Sequence, residues 1–460
     1  MEFREEKDSL GIVQVPKEVY YGSQTQRAVD NFPACGLKIP RTLIRSLALI
    51  KAAAARVNAK LGLLEQQKAD AIETAARLVV DGQLGNQFVV GLFQTGSGTS
   101  TNMNMNEVLA SKANEILTGQ KGGRTPVHPN DHVNLGQSSN DVIPSAIHMS
   151  AALGLHNRLI PALLVLKDAL VLKGVEFKNV YKIGRTHLQD AVPMTLGQEF
   201  SGYARQMELA VHRIEAVFER LYELALGGTA VGTGLNAHPE FAKQVIDIVN
   251  TETNMTFKEA GNHFEAQGAR DAVLEVSGVL KTIAAGLVKI ANDIRWLGSG
   301  PRCGIGEIEL PPIQPGSSIM PGKVNPVIPE AVIQMAYQVM GNDATILLAA
   351  QSGSFELNVT LPLIAHNLLQ SIDLLASASD VLAQKCISGL IADQKVCNRY
   401  FEKSLALVTA LVPSIGYDRA ADLAKKAFQT GKTIRQVAME EEIMPGEELA
   451  RLLNIWDRHP

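Results

Sequence analysis

Seven apolar residues near the middle of the chain recur at alternating spacings of four and three positions. They are Val276, Leu280, Ile283, Leu287, Ile290, Ile294 and Leu297. This spacing puts all seven side chains on one stripe of an α-helix, through which helices pack nearly antiparallel to each other. The pattern predicts a long helix over about 265–297.

Four further stretches carry long helical patterns: about 143–173, 194–226, 327–351 and 355–388. At 1.5 Å per residue, each of the five helices would be roughly 40–50 Å long, which exceeds a typical globular helix. Long helices that are apolar on more than one side need partners outside their own domain. We therefore predict an all-α protein whose central bundle of five long helices forms the core of a homo-oligomer.

The length and composition of the chain bound its domain organisation. It has 460 residues, of which 46% are hydrophobic and only 5% aromatic. This length exceeds one compact domain, and a core poor in aromatics favours helix packed on helix. We predict three domains: a mostly helical N-terminal domain over 1–138, the long-helix bundle over 139–393, and a small helical domain over 394–460.

Charge and cysteine usage exclude several classes of function. The net charge is −4 with acids and bases interspersed, so we expect no nucleic-acid partner. No apolar run approaches the roughly 20 residues of a membrane helix, and the acidic N-terminus fits neither a secretory signal nor a transit peptide. The four cysteines lie too far apart for a metal or redox motif. We therefore expect a cytoplasmic protein with reduced thiols and no membrane partner.

A stretch rich in glycine and proline, Gly316–Pro326, separates two of the long helical patterns. It carries one lysine, Lys323, and one amide, Asn325, among small residues. It also holds Ile319 and Met320, which a solvated linker does not need. A donor-rich loop on a rigid scaffold is a common place for catalysis. From its residues alone, a linker and a functional loop are equally good interpretations.

A second polar stretch, Thr95–Asn102, alternates glycine with hydroxyl residues ahead of a helical pattern. Ser97, Gly98 and Thr99 could form an anion site from backbone N–H groups at a helix terminus. They could equally be the capped start of a helix. The stretch is not a dinucleotide fingerprint, because Thr101 stands where the third glycine would be.

A third polar stretch combines two histidines with an acid and then a run of helix-capping residues. Pro129 disfavours a helix through His128, so His128 and His132 lose the regular spacing of metal ligands and we expect no metal. Asn130 and Asp131 lie between them. The residues that follow, Ser138, Ser139 and Asn140, are suited either to capping a helix or to donating to a bound carboxylate.

The fourth polar stretch places His187 among other hydrogen-bonding side chains, including Thr186. An imidazole ordinarily titrates near neutral pH and therefore suits proton transfer. Glu330 follows the Gly316–Pro326 loop and could orient that imidazole if the two segments meet. The four stretches together suit a small anionic substrate and a proton abstraction next to a carboxylate, because the doubly charged intermediate needs several preorganised donors.

These stretches resemble the fumarase/aspartase superfamily. The loop Gly316–Pro326 matches the superfamily's signature loop, and the resemblance extends from Asp8 into the C-terminal segment. The Gly-Ser-Gly-Thr and Gln-Ser-Ser-Asn-Asp motifs, which end at Thr99 and Asp141, are most similar to the metal-independent, homotetrameric class II fumarases. Other features are closer to aspartate ammonia-lyases: Val327–Glu330, His132 and Ala191–Met194.

The resemblance implies a function and a role for each candidate residue. It implies reversible anti hydration of fumarate to (S)-malate, a tricarboxylic acid cycle reaction, without a cofactor, in a homotetramer whose sites are shared between subunits. Elimination of ammonia from aspartate is the alternative. Ser317 would be the base and His187, oriented by Glu330, the acid. The substrate-binding residues would be Ser97, Gly98, Thr99, Ser138, Ser139, Asn140, Thr186, Ser318, Lys323 and Asn325, with His128, Asn130 and Asp131 as a second anion site.

Some members of this superfamily serve as structural proteins, so a non-catalytic scaffold is a further possibility. The sequence argues against it, because Ser317, His187, Glu330, Lys323 and Asn325 are all present. A scaffold has no need for the complete set.

Overall fold

A computed structural model describes residues 2–32 and 35–454, and it is predominantly α-helical as predicted. The α-helices are α1 Ser23–Asn31, α2 Arg41–Lys60, α3 Gln66–Val80, α4 Thr99–Thr118, α5 Ser139–Gly154, α6 Ile160–Glu176, α7 Leu196–Leu221, α8 Phe241–Thr253, α9 His263–Gly268, α10 Asp271–Leu297, α11 Val327–Ala350, α12 Leu361–Leu382, α13 Gln394–Lys403, α14 Val412–Ile415, α15 Tyr417–Thr430, α16 Ile434–Glu440 and α17 Gly446–Leu453. Helical turns of other pitch are Gly85–Gln87, Pro129–Val133, Leu155–Leu159, Ala383–Ile387 and Leu405–Ala410.

The strands are short, and each sheet in the described part of the chain has two strands. The strands are β1 Phe3–Asp8, β2 Gly11–Pro16, β3 Tyr181–Thr186, β4 Gln189–Thr195, β5 Glu223–Leu224, β6 Lys258–Glu259, β7 Ile308–Glu309, β8 Gly353–Ser354, β9 Leu357–Asn358 and β10 Ile391–Ala392. Strands β5 and β6 pair in parallel, whereas the pairs β1–β2, β3–β4, β7–β10 and β8–β9 are antiparallel.

The five predicted long helices are present. Helices α7, α10, α11 and α12 lie within the predicted ranges, and α5 joins α6 through a single π-helical turn, Leu155–Leu159. The seven residues that define the 3-4 pattern in α10 are each at most 4% exposed. The apolar stripe is therefore the buried face of this helix, which confirms the physical reason for the prediction.

The described chain divides into two compact units. The first comprises residues 1–161, 210–285 and 335–377. In it, α2 packs against α3, α5 and α8, and α4 packs against α1 and α3. Helix α2 is rich in alanine, and Ala52, Ala53 and Ala54 are buried. These small side chains allow neighbouring helices to approach α2 closely.

The second unit comprises residues 162–209, 286–334 and 378–460. The β3–β4 hairpin packs against α13, and helices α14 to α17 pack on one another around the turn Leu405–Ala410. One core joins these elements, because Ile183 of β3 packs with buried residues of the C-terminal helices, among them Phe401, Leu423 and Leu452. The hairpin is thereby anchored to a rigid base.

The proposed division into domains over 1–138, 139–393 and 394–460 stays a prediction. Its last six residues, 455–460, lie outside the part of the chain that the structure describes.

Some predicted boundaries differ from the structure. The helix predicted from residue 355 begins at Leu361, because Gly353–Ser354 and Leu357–Asn358 form a small hairpin with Phe355 at a positive φ of 53°. A side chain at this φ is incompatible with a continuing helix. The helix predicted from residue 265 is interrupted after Gly268, and α10 starts at Asp271.

Candidate active site

The signature loop Gly316–Pro326 is closed at its base by two hydrogen bonds. The backbone N–H of Gly316 donates to the carbonyl oxygen of Lys323 at 2.7 Å. The amide Nδ2 of Asn325 donates to the carbonyl oxygen of Gly316 at 2.6 Å. A Cβ at position 316 would lie 2.7 Å from the Asn325 nitrogen and from the Lys323 oxygen, so only glycine permits this closure. Asn325 thus holds the loop together as well as being a candidate substrate donor.

The hydroxyl of Ser317 is held inside this loop by backbone donors. Its Oγ accepts N–H hydrogen bonds from Ile319 at 3.3 Å and from Met320 at 3.0 Å. Two N–H groups aimed at one oxygen are the arrangement that stabilises negative charge on it. Lys323 is exposed and makes no side-chain hydrogen bond to Ser317 in the described chain. Backbone N–H groups are therefore the donors that this loop itself supplies to Ser317.

His187 lies at the tip of the β3–β4 hairpin, an element that the sequence did not predict. Thr186 pairs with Gln189, so His187 and Leu188 form a two-residue turn. Both have positive φ, 56° and 59°. Such turns favour Asn and Gly, and side chains like these are strained there. His187 therefore lies at the end of a projecting hairpin, and both His187 and Thr186 are exposed in the single chain.

A buried ion cluster fixes the base of this hairpin. The guanidinium of Arg185 donates to both carboxylate oxygens of Glu307, at 2.7 and 3.0 Å. The ammonium of Lys182 lies 2.7 Å from Glu199 and 3.2 Å from Glu307. The Glu307 side chain is fully buried. Charges in such a site need this degree of pairing, because burial removes their hydration.

Glu330 and His187 are not hydrogen-bonded to each other in the described part of one chain. Glu330 lies in the first turn of α11, where the helix dipole favours a negative charge. The hairpin tip and this turn are separate features of the second unit. The pairing expected from the resemblance is therefore not present within the described part of one chain.

Two of the other predicted stretches do meet. The hydroxyl of Thr99, the first residue of α4, lies 2.7 Å from the hydroxyl of Ser139, the first residue of α5. Ser97 contacts Thr99 at 2.7 Å as well. Gly98 precedes α4 at a positive φ of 73° and supplies no side-chain cap. The starts of two helices, each with the positive end of its dipole, are thus brought to one place, as an anion site requires.

Ser138 caps helix α5 while its hydroxyl proton stays available. Its Oγ accepts from the N–H of Asn140 at 3.2 Å, and its own N–H donates to Asp141 at 2.9 Å. The other oxygen of Asp141 accepts from the N–H groups of Gly227 and Thr229. Because a hydroxyl can accept and donate at once, capping does not exclude donation to a substrate carboxylate. Burial raises the pKa of Asp141 to about 6.

The histidine pair forms a compact turn in which both Nδ1 atoms already accept hydrogen bonds. His128 Nδ1 accepts from the N–H groups of Asn130 and Asp131, and His132 Nδ1 accepts from the N–H of His128 at 2.8 Å. Burial lowers the pKa of both imidazoles. As expected, Pro129 begins a turn after His128. Asn130 and Asp131 are exposed and accessible to an anion or a partner.

Ser318 and Lys323 are exposed in the loop, and Gly98 is buried. The structure therefore brings Ser97, Thr99 and Ser139 together, and it groups Ser317, Ser318, Lys323 and Asn325 in one loop. These two groups belong to different units of the chain.

A glycine-rich segment that was not singled out from the sequence supports the helix α5 start. Gly227, Gly232 and Gly234 all have positive φ. Besides the Asp141 contacts, the carbonyl oxygen of Ala230 accepts from Nδ2 of Asn140 at 2.8 Å. The density of glycine between 227 and 234 is the sequence signal that could have identified it.

No helix in residues 2–32 and 35–454 is both long and apolar enough to cross a bilayer.

The sequence and structure match known lyases over almost their entire length. A family profile described as Lyase matches residues 11–341, and one described as Fumarase C C-terminus matches residues 407–457. The chain is 53% identical over 455 residues to a class II fumarate hydratase of Nitrosomonas europaea, which covers 99% of this chain and 98% of that protein. It is 52% identical over 458 residues to a class II fumarate hydratase of Mycobacterium tuberculosis, covering 98% and 95%.

A solved structure shows the same relationship. The crystal structure of recombinant class II fumarase from Schistosoma mansoni superposes with a TM-score of 0.95 at 44% identity, covering 99% of both chains. The helical fold, the closed signature loop and the paired helix starts thus define a lyase of the fumarase/aspartase superfamily. Within it, this chain belongs to the class II fumarate hydratase family. The aspartase-like residues 191–194 and 327–330 do not alter this assignment, because identity extends over the whole chain.

Proposed function

We propose that this fumarate hydratase adds water to fumarate, and removes it from (S)-malate, at a site to which more than one subunit contributes. The observation that carries the proposal is the placement of Ser317. Its Oγ accepts two backbone N–H hydrogen bonds inside a closed loop. A serine hydroxyl is too weak an acid to serve as a base unless its alkoxide is stabilised, and these donors are preorganised for that purpose.

In the direction of dehydration, Ser317 takes the proton from C3 of malate. The electron pair left on C3 delocalises into the adjacent carboxylate and gives a doubly charged intermediate. His187 then donates a proton to the C2 oxygen, directly or through a water, as the C2–O bond breaks and water leaves. Glu330 of a neighbouring subunit orients the imidazole, because no hydrogen bond joins Glu330 to His187 in the described part of one chain.

The carboxylates of the substrate are bound by neutral donors and one lysine. Thr99, Ser138, Ser139 and Asn140 come from the paired helix starts, Thr186 from the hairpin, and Ser318, Lys323 and Asn325 from the signature loop. Ser97 and Gly98 shape the start of α4. His128, Asn130 and Asp131 form the second anion site. No cofactor has a step in this reaction.

We propose a homotetramer as the assembly. The exposed apolar residues on the long helices support it: in α6, Leu172 and Val175 are 69% and 62% exposed, and in α11, Leu348 is 62% exposed. Such residues on a helix face need a partner. Light scattering coupled to size exclusion tests the assembly, and a stable monomer would contradict it. The proposed cytoplasmic location is tested by cell fractionation.

Two assays test the function. Purified protein should produce the ultraviolet absorbance of fumarate from malate and not from aspartate. Turnover of aspartate alone would indicate an ammonia-lyase, and turnover of neither substrate by a folded tetramer would indicate a scaffold.

Subunit mixing tests the shared site. Ser317→Ala and His187→Asn tetramers, each inactive, are mixed, dissociated and reassociated. If Ser317 and His187 come from different subunits, random mixing restores both residues at about one site in four. If one chain supplies both, every site stays defective and no activity returns.

A further inference from the structure

A lysine in the first unit is completely buried and has no role in the reaction described above. Lys51 of α2 is 0% exposed. Its Nζ donates to Asn134 Oδ1 at 3.0 Å and to Gln137 Oε1 at 2.9 Å. Both partners are neutral amides. Burying a lysine without a directly bound carboxylate is unfavourable, and burial lowers the pKa of Lys51 to about 7, partly opposed by the Asp141 charge.

Two asparagines of α4 converge on the same acceptor. Nδ2 of Asn102 and Nδ2 of Asn106 each lie 3.1 Å from Asn134 Oδ1. The Oδ1 atoms of Asn102 and Asn106 are buried and have no hydrogen-bond partner in the described chain. An unsatisfied buried acceptor costs about 1–3 kcal/mol. Apolar residues at positions 102 and 106 would therefore make the folded chain more stable than the two asparagines do.

The shared acceptor lies in the segment that leads to the proposed carboxylate donors. Asn134 Nδ2 donates to the carbonyl oxygen of Gln137 at 3.0 Å, and Ser138 follows directly. On α2, Asn58, two turns after Lys51, donates to the carbonyl oxygen of Leu135 at 3.0 Å. The segment 134–137 is thus tied to α2 and α4 from its buried side.

Helix α4 also carries the other half of the proposed anion site. Thr99, whose hydroxyl contacts Ser139, lies three and seven residues before Asn102 and Asn106. This spacing places Thr99, Asn102 and Asn106 on one face of α4. The buried network therefore fixes the distance between Thr99 on α4 and Ser138, Ser139 and Asn140 at the start of α5.

We propose that Lys51, with Asn134, is a positioning residue for substrate binding: it holds the segment 134–137 so that the Ser138–Asn140 donors meet a substrate carboxylate. This inference rests on the proposed function, in which those donors bind substrate. Carboxylate anchors act on the ground state and the transition state alike, so their displacement raises KM and changes kcat little.

The test substitutes Lys51→Met, which keeps the volume and removes the donors. The dissociation constant of succinate, a dicarboxylate that cannot react, is measured by calorimetry together with kcat and KM for malate. We expect succinate affinity to fall and KM to rise about tenfold, with kcat within about threefold of wild type. The matched control is Lys173→Met. Lys173 is also buried, but it donates to Glu176 and to the carbonyl oxygen of Leu390.

A second variant covers the case in which Lys51→Met does not fold. Asn106→Leu is nearly isosteric, removes one donor to Asn134 and also removes an unsatisfied acceptor. We expect it to be at least as stable as wild type and yet to bind succinate several-fold more weakly. If the network has a purely structural role, the melting temperature of Asn106→Leu changes and its affinity for succinate does not.

Ser139→Ala separates this inference from the function on which it rests. If Ser139→Ala weakens succinate binding while Lys51→Met and Asn106→Leu leave it within twofold of wild type, the role of Lys51 is overturned and the site stands. If Ser139→Ala also leaves succinate binding unchanged, the proposed carboxylate site is wrong and the inference fails with it.

Discussion

Arg185 and Glu307 form a two-point ion pair, with N–O distances of 2.7 and 3.0 Å, at the base of the hairpin that presents His187. Glu307 lies after the turn Gly300–Gly306, far from the hairpin in sequence. The pair therefore couples two distant segments of the chain to the position of the proposed acid. Lys182, which contacts Glu307 at 3.2 Å, completes the cluster.

Replacing Glu307 by Gln should lower both stability and turnover. The substitution leaves Arg185 without a charged partner in a buried site, and breaking a buried pair typically costs about 3–5 kcal/mol. Since the hairpin then loses its anchor, we expect kcat to fall at least tenfold. Thermal melting and malate kinetics measure the two effects.

Glu402→Gln is the matched control for this substitution. Glu402 also makes a two-point pair, with Arg435, but both side chains are partly exposed. Exposed pairs contribute about 0.2–1 kcal/mol, so this variant should resemble wild type. Equal losses in the two variants would show that burial of the Arg185–Glu307 pair is unimportant.

Ser317→Ala should reduce turnover by about two to four orders of magnitude and leave the assembly intact. The alanine removes the oxygen that accepts the N–H groups of Ile319 and Met320, and the loop stays closed through Gly316 and Asn325. Initial rates with malate and light scattering are the measurements. Ser352→Ala, at an exposed serine bonded to the Leu348 carbonyl, serves as the control. Retention of near-wild-type activity in Ser317→Ala would remove Ser317 from its proposed role.

The long helices could be predicted from the sequence because their signal is local. A stripe of apolar residues at 3-4 spacing is readable without knowing its partners, and α11 was predicted over 327–351 against Val327–Ala350 in the structure. Helix α8 has no counterpart among the predicted elements.

The hairpin of His187 could not be predicted, for a physical reason. Two-residue hairpin turns are recognised by Asn-Gly or Asp-Gly, whereas this turn is His187-Leu188. A two-residue turn between paired antiparallel strands places both of its residues at positive φ, whatever their side chains. The partners of Lys51 and Glu307 could not be predicted either, because each contact joins segments more than 80 residues apart in the sequence.

The strained turn itself gives a third prediction. Leu188 and Leu235 are almost equally exposed, at 67% and 68%, but only Leu188 has a positive φ. Glycine relieves strain at position 188 and relieves none at 235. We therefore expect Leu188→Gly to be more stable than Leu235→Gly by about 1 kcal/mol in the free energy of unfolding. Denaturant titration measures this difference, and equal stabilities would contradict a strained turn.

Lys51 gives a prediction for the dependence of stability on pH. Its pKa is about 7 in the folded chain and near the ordinary lysine value of 10.5 when unfolded. Between these values the unfolded chain binds more protons, so the free energy of unfolding rises with pH, by at most about 1.4 kcal/mol per pH unit. Below pH 7 both states are protonated, and the cost of burying the ammonium is present in full.

Lys51→Met should lack this rise. Asp141, whose pKa is raised to about 6, and His148, whose pKa is lowered to about 4, titrate below pH 7. Burial raises the pKa values of the Cys386 and Cys397 thiols, which lowers the free energy of unfolding as the pH rises through 9, but equally in both proteins. The melting temperature of wild type, relative to that of Lys51→Met, should therefore be higher at pH 8.8 than at pH 7.0. Parallel pH profiles for the two proteins would mean that Lys51 keeps its ordinary proton affinity in the folded chain. The Lys173→Met control keeps Lys51 unchanged and should therefore follow wild type across this range.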